Sequence, residues 1–131
     1  MNDIIKSIDH IGYAVEDIDA ASRILKAFGY TFGPVKTDAR RNVRVCIGNG
    51  GVQIELLSPI QGKKSPIDGV LEKNGSTPYH VCYRVTDIDR AVDKLRESGF
   101  LPIDVPAKSE PLGGEVCFMF SPEIGIIELI S

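Results

Sequence analysis

One stretch of this chain is written twice. Residues 10–30, HIGYAVEDIDAASRILKAFGY, and residues 80–100, HVCYRVTDIDRAVDKLRESGF, align without a gap at an offset of seventy positions, and nine of the 21 pairs are identical. His10 meets His80, Tyr13 meets Tyr83, Val15 meets Val85, the run Asp17-Ile18-Asp19 meets Asp87-Ile88-Asp89, and Gly29 meets Gly99. A chain that repeats itself over such a span folds as copies of one supersecondary unit that share an interior, so the repeat bounds the architecture before any element is assigned. The two halves also close alike, on VQIELLSP (residues 52–59) and GIIELIS (residues 125–131). Each half therefore begins on a histidine and ends on a glutamate inside an apolar run: His10 with Glu55, and His80 with Glu128. The chain holds two histidines, and both fall at the same repeat position.

Within each copy the periodicity reads as strand, helix, then three strands. Residues 6–15 are rich in β-branched and apolar side chains, and alternation sets His10, Gly12 and Ala14 on one face and Ile11, Tyr13 and Val15 on the other. Asp17 is placed to cap a helix that carries Ile18, Ala21, Ile24, Leu25 and Phe28 at helical spacing and ends at Gly29. Residues 31–36 form a strand broken by Gly33-Pro34, residues 37–42 a polar, basic loop, and residues 43–47 a third strand. The turn Gly48-Asn49-Gly50-Gly51 leads to a fourth strand over residues 52–57 with Glu55 and Leu57 on one face. The second copy runs the same way. A strand over residues 79–85 has His80, Cys82 and Arg84 on one face. A helix follows from Asp87 to about Ser98, and strands are expected over 101–105, 115–120 and 126–130. Between the copies, Ser65-Pro66 starts a short connector helix that Gly75 ends. The expected fold class is α+β: two βαβββ modules, at about residues 6–59 and 79–131, in one domain over 1–131, with curved sheets enclosing a cleft and the helices outside.

Composition adds boundaries. A net charge of −3 gives the molecule no general attraction for nucleic acid or an anionic membrane, so neither is expected as a partner. Three cysteines without a CxxC spacing read as free thiols of a reducing compartment, and no basic-then-apolar leader or long apolar span stands in the sequence. The expectation is a cytoplasmic protein.

Strand parity turns both histidines away from the helix-packing residues and into the cleft, and Glu55 and Glu128 can face the same way. Two carboxylates in a partly dry cleft repel each other, and an unpaired buried charge costs several kcal/mol, on the order of magnitude. A divalent cation removes that conflict. Two imidazoles and two carboxylates form a mixed donor set suited to Ni²⁺, Co²⁺, Zn²⁺ or Mn²⁺. His10, Glu55, His80 and Glu128 are therefore the expected metal ligands, with room left for two oxygens of a substrate.

The segments IDHIGYAV, IELLSP, PYHVCYRV, LGGEVCFMFSP and IELIS resemble the signatures of the vicinal oxygen chelate superfamily, the group of glyoxalase I and methylmalonyl-CoA epimerase. The resemblance implies two βαβββ modules around a divalent metal held by His10, Glu55, His80 and Glu128. It also implies a homodimer, as in many proteins of this fold. Chain length and element order are closer to the epimerase branch. The implied chemistry is proton abstraction next to a carbonyl, in an acyl-CoA or a related acid. The metal takes the carbonyl oxygen and its neighbour, and Glu128 or Glu55 serves as the base.

At the third-strand position where the epimerases place a glutamate base, this chain has Arg44. With Val43 and Val45 on the opposite face, Arg44 is expected to point into the cleft and bind an anionic small-molecule substrate. Glu115, its repeat partner, is a solvent-side glutamate with an outside claim to act as base. The alternatives from other classes are a glyoxalase I-like isomerase of the lactoylglutathione lyase type and a non-catalytic binding protein of the resistance type.

Overall fold

The computed structural model describes residues 1–131. In chain order it comprises β1 (Ile5–Ala14), α1 (Ile18–Lys26), β2 (Thr31–Phe32), β3 (Lys36–Asp38), β4 (Val43–Asn49), β5 (Gln53–Pro59), α2 (Asp68–Asn74), β6 (Thr77–Val85), α3 (Ile88–Glu97), β7 (Leu101–Pro102), β8 (Ala107–Lys108), β9 (Glu115–Ser121) and β10 (Gly125–Ile130). The class is α+β, and the βαβββ plan is present twice, with the third stretch of each copy split into two short strands. Gly33-Pro34 marks the split in the first copy. No helix is long and apolar enough to cross a membrane.

The repeat is legible in local detail. Asp17 accepts hydrogen bonds from the Asp19 and Ala20 amides at 2.9 and 3.2 Å, and Asp87 accepts one from the Arg90 amide at 3.1 Å. These caps satisfy amides that the first turn leaves without partners. Both helices end at a glycine with φ +97°, Gly29 and Gly99. The buried thiols of Cys46 and Cys117 each bond a main-chain carbonyl thirteen residues earlier, at Gly33 and Asp104.

The chain divides into two compact units, residues 11–79 and residues 1–10 with 80–131. In the first, β4 pairs antiparallel with β2, β3 and β5. Helix α1 lays Ile18, Ala21 and Leu25 against Val15, Cys46, Ile54 and Leu56. Ile24 and Phe28, expected on that buried stripe, are 64% and 73% exposed, and Ser22 is buried in their place. The contact face is the 18-21-22-25 side, and residues 24 and 28 stand off it at 100° per residue.

The opposite face of the β4–β5 hairpin is apolar too. Val43, Val45, Leu57 and Ala14 pack there under Ile67 and Leu71 of the connector. Ser65 braces that connector, its hydroxyl donating to Asp68 at 2.6 Å, and Gly75 ends α2 with φ +69°. The expected position of Arg44 is corrected by this packing. Val45 is paired with Leu57 and Ile47 with Glu55. Directly paired residues share a face, so Val43, Val45 and Ile47 lie on the side of Glu55. Arg44 lies on the other side and is exposed.

In the second unit β10 pairs parallel with β6 and antiparallel with β9, which also carries β7 and β8. One face holds Val85, Ile88, Ala91, Cys117, Met119, Ile127 and Leu129. Ile4 and Ile5 pack against this cluster, and the Ile4 carbonyl accepts from the Thr86 amide at 3.0 Å. These contacts explain why the chain's first ten residues group with the second copy. The other face carries Cys82, Val116 and Ile130, and it is the face that carries the histidine of β6.

Candidate metal centre

Three of the four expected ligands lie in the unit formed by residues 1–10 and 80–131. His10 is on β1 and His80 on β6, two residues before Cys82 and on its face. Glu128 is on β10, where the register sets it directly beside Cys82. Parity therefore brings Glu128 to the histidine side of β6 while Ile127 and Leu129 enter the helix-side core. All three are buried, with relative exposures of 0% for His10, 4% for His80 and 1% for Glu128.

Their donor atoms converge. Glu128 Oε1 is 3.1 Å from His10 Nε2 and 3.1 Å from His80 Nε2, and the two Nε2 atoms are 3.3 Å apart. The imidazole planes stand at 80° with centroids 5.4 Å apart, so each ring presents its edge to the common point. His80 also packs edge-on to Phe118 at 5.1 Å.

The donor chemistry suits a cation at this point. His10 Nδ1 is 2.8 Å from Asp9 Oδ2 and donates to it, so Nε2 is the ring nitrogen directed at Glu128. Two imidazole nitrogens and a carboxylate oxygen thus meet at one buried point, where a divalent ion would replace the protons they share. Donor atoms about 2.1 Å from one ion are about 3.0 Å apart at adjacent octahedral corners and about 3.4 Å apart in a tetrahedron. The three observed separations fall within that interval, so the residues present fit a divalent ion. Burial pushes the Glu128 carboxyl up, but its hydrogen bonds to His10 and His80 and their positive charge outweigh this, and its pKa lies below the usual carboxylate range. Glu128 is held in the ionised form that a metal ligand requires.

Glu55 belongs to the other unit. It sits in the middle of β5, 4% exposed, on the same face as Ile47 and Leu57. Arg44 is on the reverse of that hairpin. Glu115 is exposed at the start of β9, paired with Lys108, as a solvent-side residue would be. Cys46, Cys82 and Cys117 are thiols outside any disulfide. Burial pushes the Cys82 thiol up to about 12.

Two residues around the site were not anticipated. Asp9 bonds His10, and its second oxygen accepts from Arg84 Nε at 3.0 Å and from Arg84 Nη2. Burial raises the Asp9 carboxyl, and the contacts with His10 and Arg84 bring it below the ordinary value. The available sequence signal was an acid directly before the first histidine. For Arg84 the signal was strand alternation, which sets it on the face of His80 and Cys82.

Comparison with known proteins identifies the family and the fold. Residues 9–118 match the family model described as Glyoxalase/Bleomycin resistance protein/Dioxygenase superfamily. The chain is 37% identical over 99 residues to the ethylmalonyl-CoA/methylmalonyl-CoA epimerase of Cereibacter sphaeroides, covering 73% of each chain. The crystal structure of methylmalonyl-CoA epimerase from Mycobacterium tuberculosis superposes with a TM-score of 0.84 at 22% identity, over 99% of this chain and 90% of that one, a likeness of fold. A variant of the Streptomyces coelicolor methylmalonyl-CoA epimerase, solved in complex with 2-nitronate-propionyl-CoA, superposes with a TM-score of 0.81 at 25% identity, over 96% of both chains.

Proposed function

This chain belongs to the glyoxalase/bleomycin resistance protein/dioxygenase superfamily, and from that premise we propose that it is a divalent-metal-dependent epimerase of the methylmalonyl-CoA epimerase type, acting on an acyl-CoA or a related acid. The observation that carries the reading is the convergence of His10 Nε2, His80 Nε2 and Glu128 Oε1 on one buried point. The similarity to epimerases in both sequence and fold supports the reaction class.

In this reading His10, His80 and Glu128 hold the ion and Glu55 is the fourth ligand. Support for Glu55 comes from the repeat, in which it stands to His10 as Glu128 stands to His80, and from its burial. A divalent ion bound there supplies Lewis-acid stabilisation of the negative charge that develops on a carbonyl oxygen when the neighbouring C–H loses its proton. The chain itself supplies the base. Glu128 is pulled below the usual carboxylate range, which makes it a good ligand and a weak base. Glu55 or Glu128 takes the α-proton. Return of a proton to the opposite face of the carbon inverts the centre. Arg44 has no part in this scheme, because it lies on the reverse of the hairpin. The reading also includes a cytoplasmic setting, in keeping with three thiols outside any disulfide, and a homodimer, to be read from the mass in solution.

The test is solvent exchange. Metal-loaded protein in D₂O should place deuterium at C2 of methylmalonyl-CoA and leave the hemithioacetal of methylglyoxal and glutathione unturned. Turnover of the hemithioacetal alone would move the assignment to the glyoxalase I type. No reaction with either substrate, by protein that holds stoichiometric metal, would leave a binding protein.

A further inference from the structure

Duplication delivered two matched histidines, but their surroundings are not matched. At the repeat offset the counterpart of Asp9 is Tyr79, and that of Arg84 is Ala14. The first histidine therefore has a carboxylate beside its Nδ1 and an arginine behind that carboxylate, and neither residue type recurs at the matching position of the other copy. We propose that Asp9 and Arg84 are positioning residues that preset His10 as a metal ligand, an inference that rests on the metal-dependent reading given above.

Arg84 engages one Asp9 oxygen through Nε at 3.0 Å and through Nη2, and the other oxygen faces His10 Nδ1 at 2.8 Å. One carboxylate is thus divided between two donors. Arg84 anchors one oxygen, and that leaves the other turned to His10. The charged acceptor beside Nδ1 holds a proton there. Nε2 is thereby the ring nitrogen turned to the site, 3.1 Å from Glu128 Oε1 and 3.3 Å from His80 Nε2. Without Asp9 the Nδ1 proton loses its charged acceptor and the ring is drawn toward the Nε2–H form, in which Glu128 takes the proton that a metal would have to displace. A carboxylate behind a ligating histidine fixes the tautomer and raises the basicity of the ligand, and its loss typically lowers metal affinity by about 10- to 100-fold.

The experiment uses the full chain and two readouts that need no substrate. Long-range ¹H–¹⁵N spectra of the metal-free protein report the tautomer of His10, and titration with Co²⁺ or Zn²⁺ reports affinity. Wild type should show His10 protonated on Nδ1. D9A should move the proton to Nε2 and weaken metal binding about 10- to 100-fold. D9N, whose side-chain oxygen still accepts from Nδ1–H, should keep the tautomer and lose less affinity than D9A. R84Q should keep the tautomer in most molecules and fall between wild type and D9A. The inference is overturned if D9A keeps the Nδ1–H tautomer and binds metal within about twofold of wild type. If D9A does not fold, D9N and R84Q decide the matter, and wild-type affinity in both overturns it. Failure of the metal reading is distinguishable, since wild type itself would then bind no metal while the tautomer of His10 still reported on Asp9.

Discussion

The most informative single substitution is Glu128→Gln. It keeps volume and shape at a position 1% exposed and removes the charge. Two effects follow, and they can be read separately. In the metal-free protein the carboxylate is held ionised by His10 and His80, each 3.1 Å from Oε1. Hydrogen bonds to a charged group contribute about 1.5–3 kcal/mol, and the variant loses that contribution. The unfolding entropy for 131 residues, at about 2.1 cal/mol/K per residue, is about 0.28 kcal/mol/K. The metal-free Tm should therefore drop by about 5–10 °C. The second effect is linkage. Metal at one hundred times its Kd stabilises the folded protein by about 2.7 kcal/mol, which corresponds to about 10 °C in wild type. E128Q, left with two imidazoles, a neutral amide and Glu55 as the remaining carboxylate, should show only a small part of that shift at the same metal concentration. Scanning calorimetry of both proteins with and without Co²⁺ gives the four transitions required. A full 10 °C metal shift in E128Q would refute the reasoning, because the ion would then be bound without the carboxylate on which the three donor atoms converge.

Glu128 and Asp9 both have pKa values below their ordinary 4.5 and 3.8. Their contribution to stability is therefore complete above those ordinary values and is lost as pH falls toward the lower folded-state ones. Urea melts of metal-free protein from pH 6 to pH 2 should steepen below pH 4.5, and E128Q should flatten that limb. A Cβ placed on Gly114 would stand 2.5 Å from the Ser131 carbonyl oxygen and 3.1 Å from the Ile130 side chain, so Gly114→Ala should cost about 1–3 kcal/mol in a chemical melt. Asp17→Ala and Asp87→Ala each remove a helix cap and should cost about 0.5–2 kcal/mol. The caps share no hydrogen-bond partner, so the double variant should lose close to the sum of the two.

The parts of this molecule that could be read from the sequence are those where the two copies check each other. A single histidine in a strand says little, but His10 and His80 at one repeat position, each answered by a glutamate, restrict both chemistry and geometry. Strand period then turns Glu128 toward the histidine side of β6, as its register opposite Cys82 shows. Arg44 failed for a physical reason. The reading assumed that the valines flanking it mark the helix-packing face, yet β4 and β5 are covered on both faces, by α1 on one and the connector on the other. A strand buried on both sides carries no hydrophobic signal of which way it faces, and its orientation is set by the cross-strand partner of a residue whose side is known. Ile47 opposite Glu55 is that partner, and pairing is not written in a local pattern. The same reasoning hid Asp9: parity assigns it to the face opposite His10, yet its carboxylate reaches the edge of the neighbouring ring.

These successes and failures have a common origin. Duplication copies a backbone and the residues that its periodicity repeats, so it produces pairs: two caps, two left-handed glycines, two thiols on carbonyls, two histidines. Asymmetric chemistry needs residues that differ between copies, and those are invisible to an argument from repetition. An enzyme that removes a proton and returns it to the opposite face needs two unlike sides around one carbon. In this chain the unlike features surround the two histidines: Asp9 and Arg84 serve one, while Phe118 packs on the other. If the proposed reaction is right, exchanging these surroundings, with Asp9→Tyr and Tyr79→Asp in one chain, should preserve metal binding better than it preserves the balance of proton exchange between the two epimers. That balance is measured by deuterium entry from each epimer separately. An unaltered ratio would mean that the asymmetry lies elsewhere, with Glu55 and Glu128 the first residues to examine.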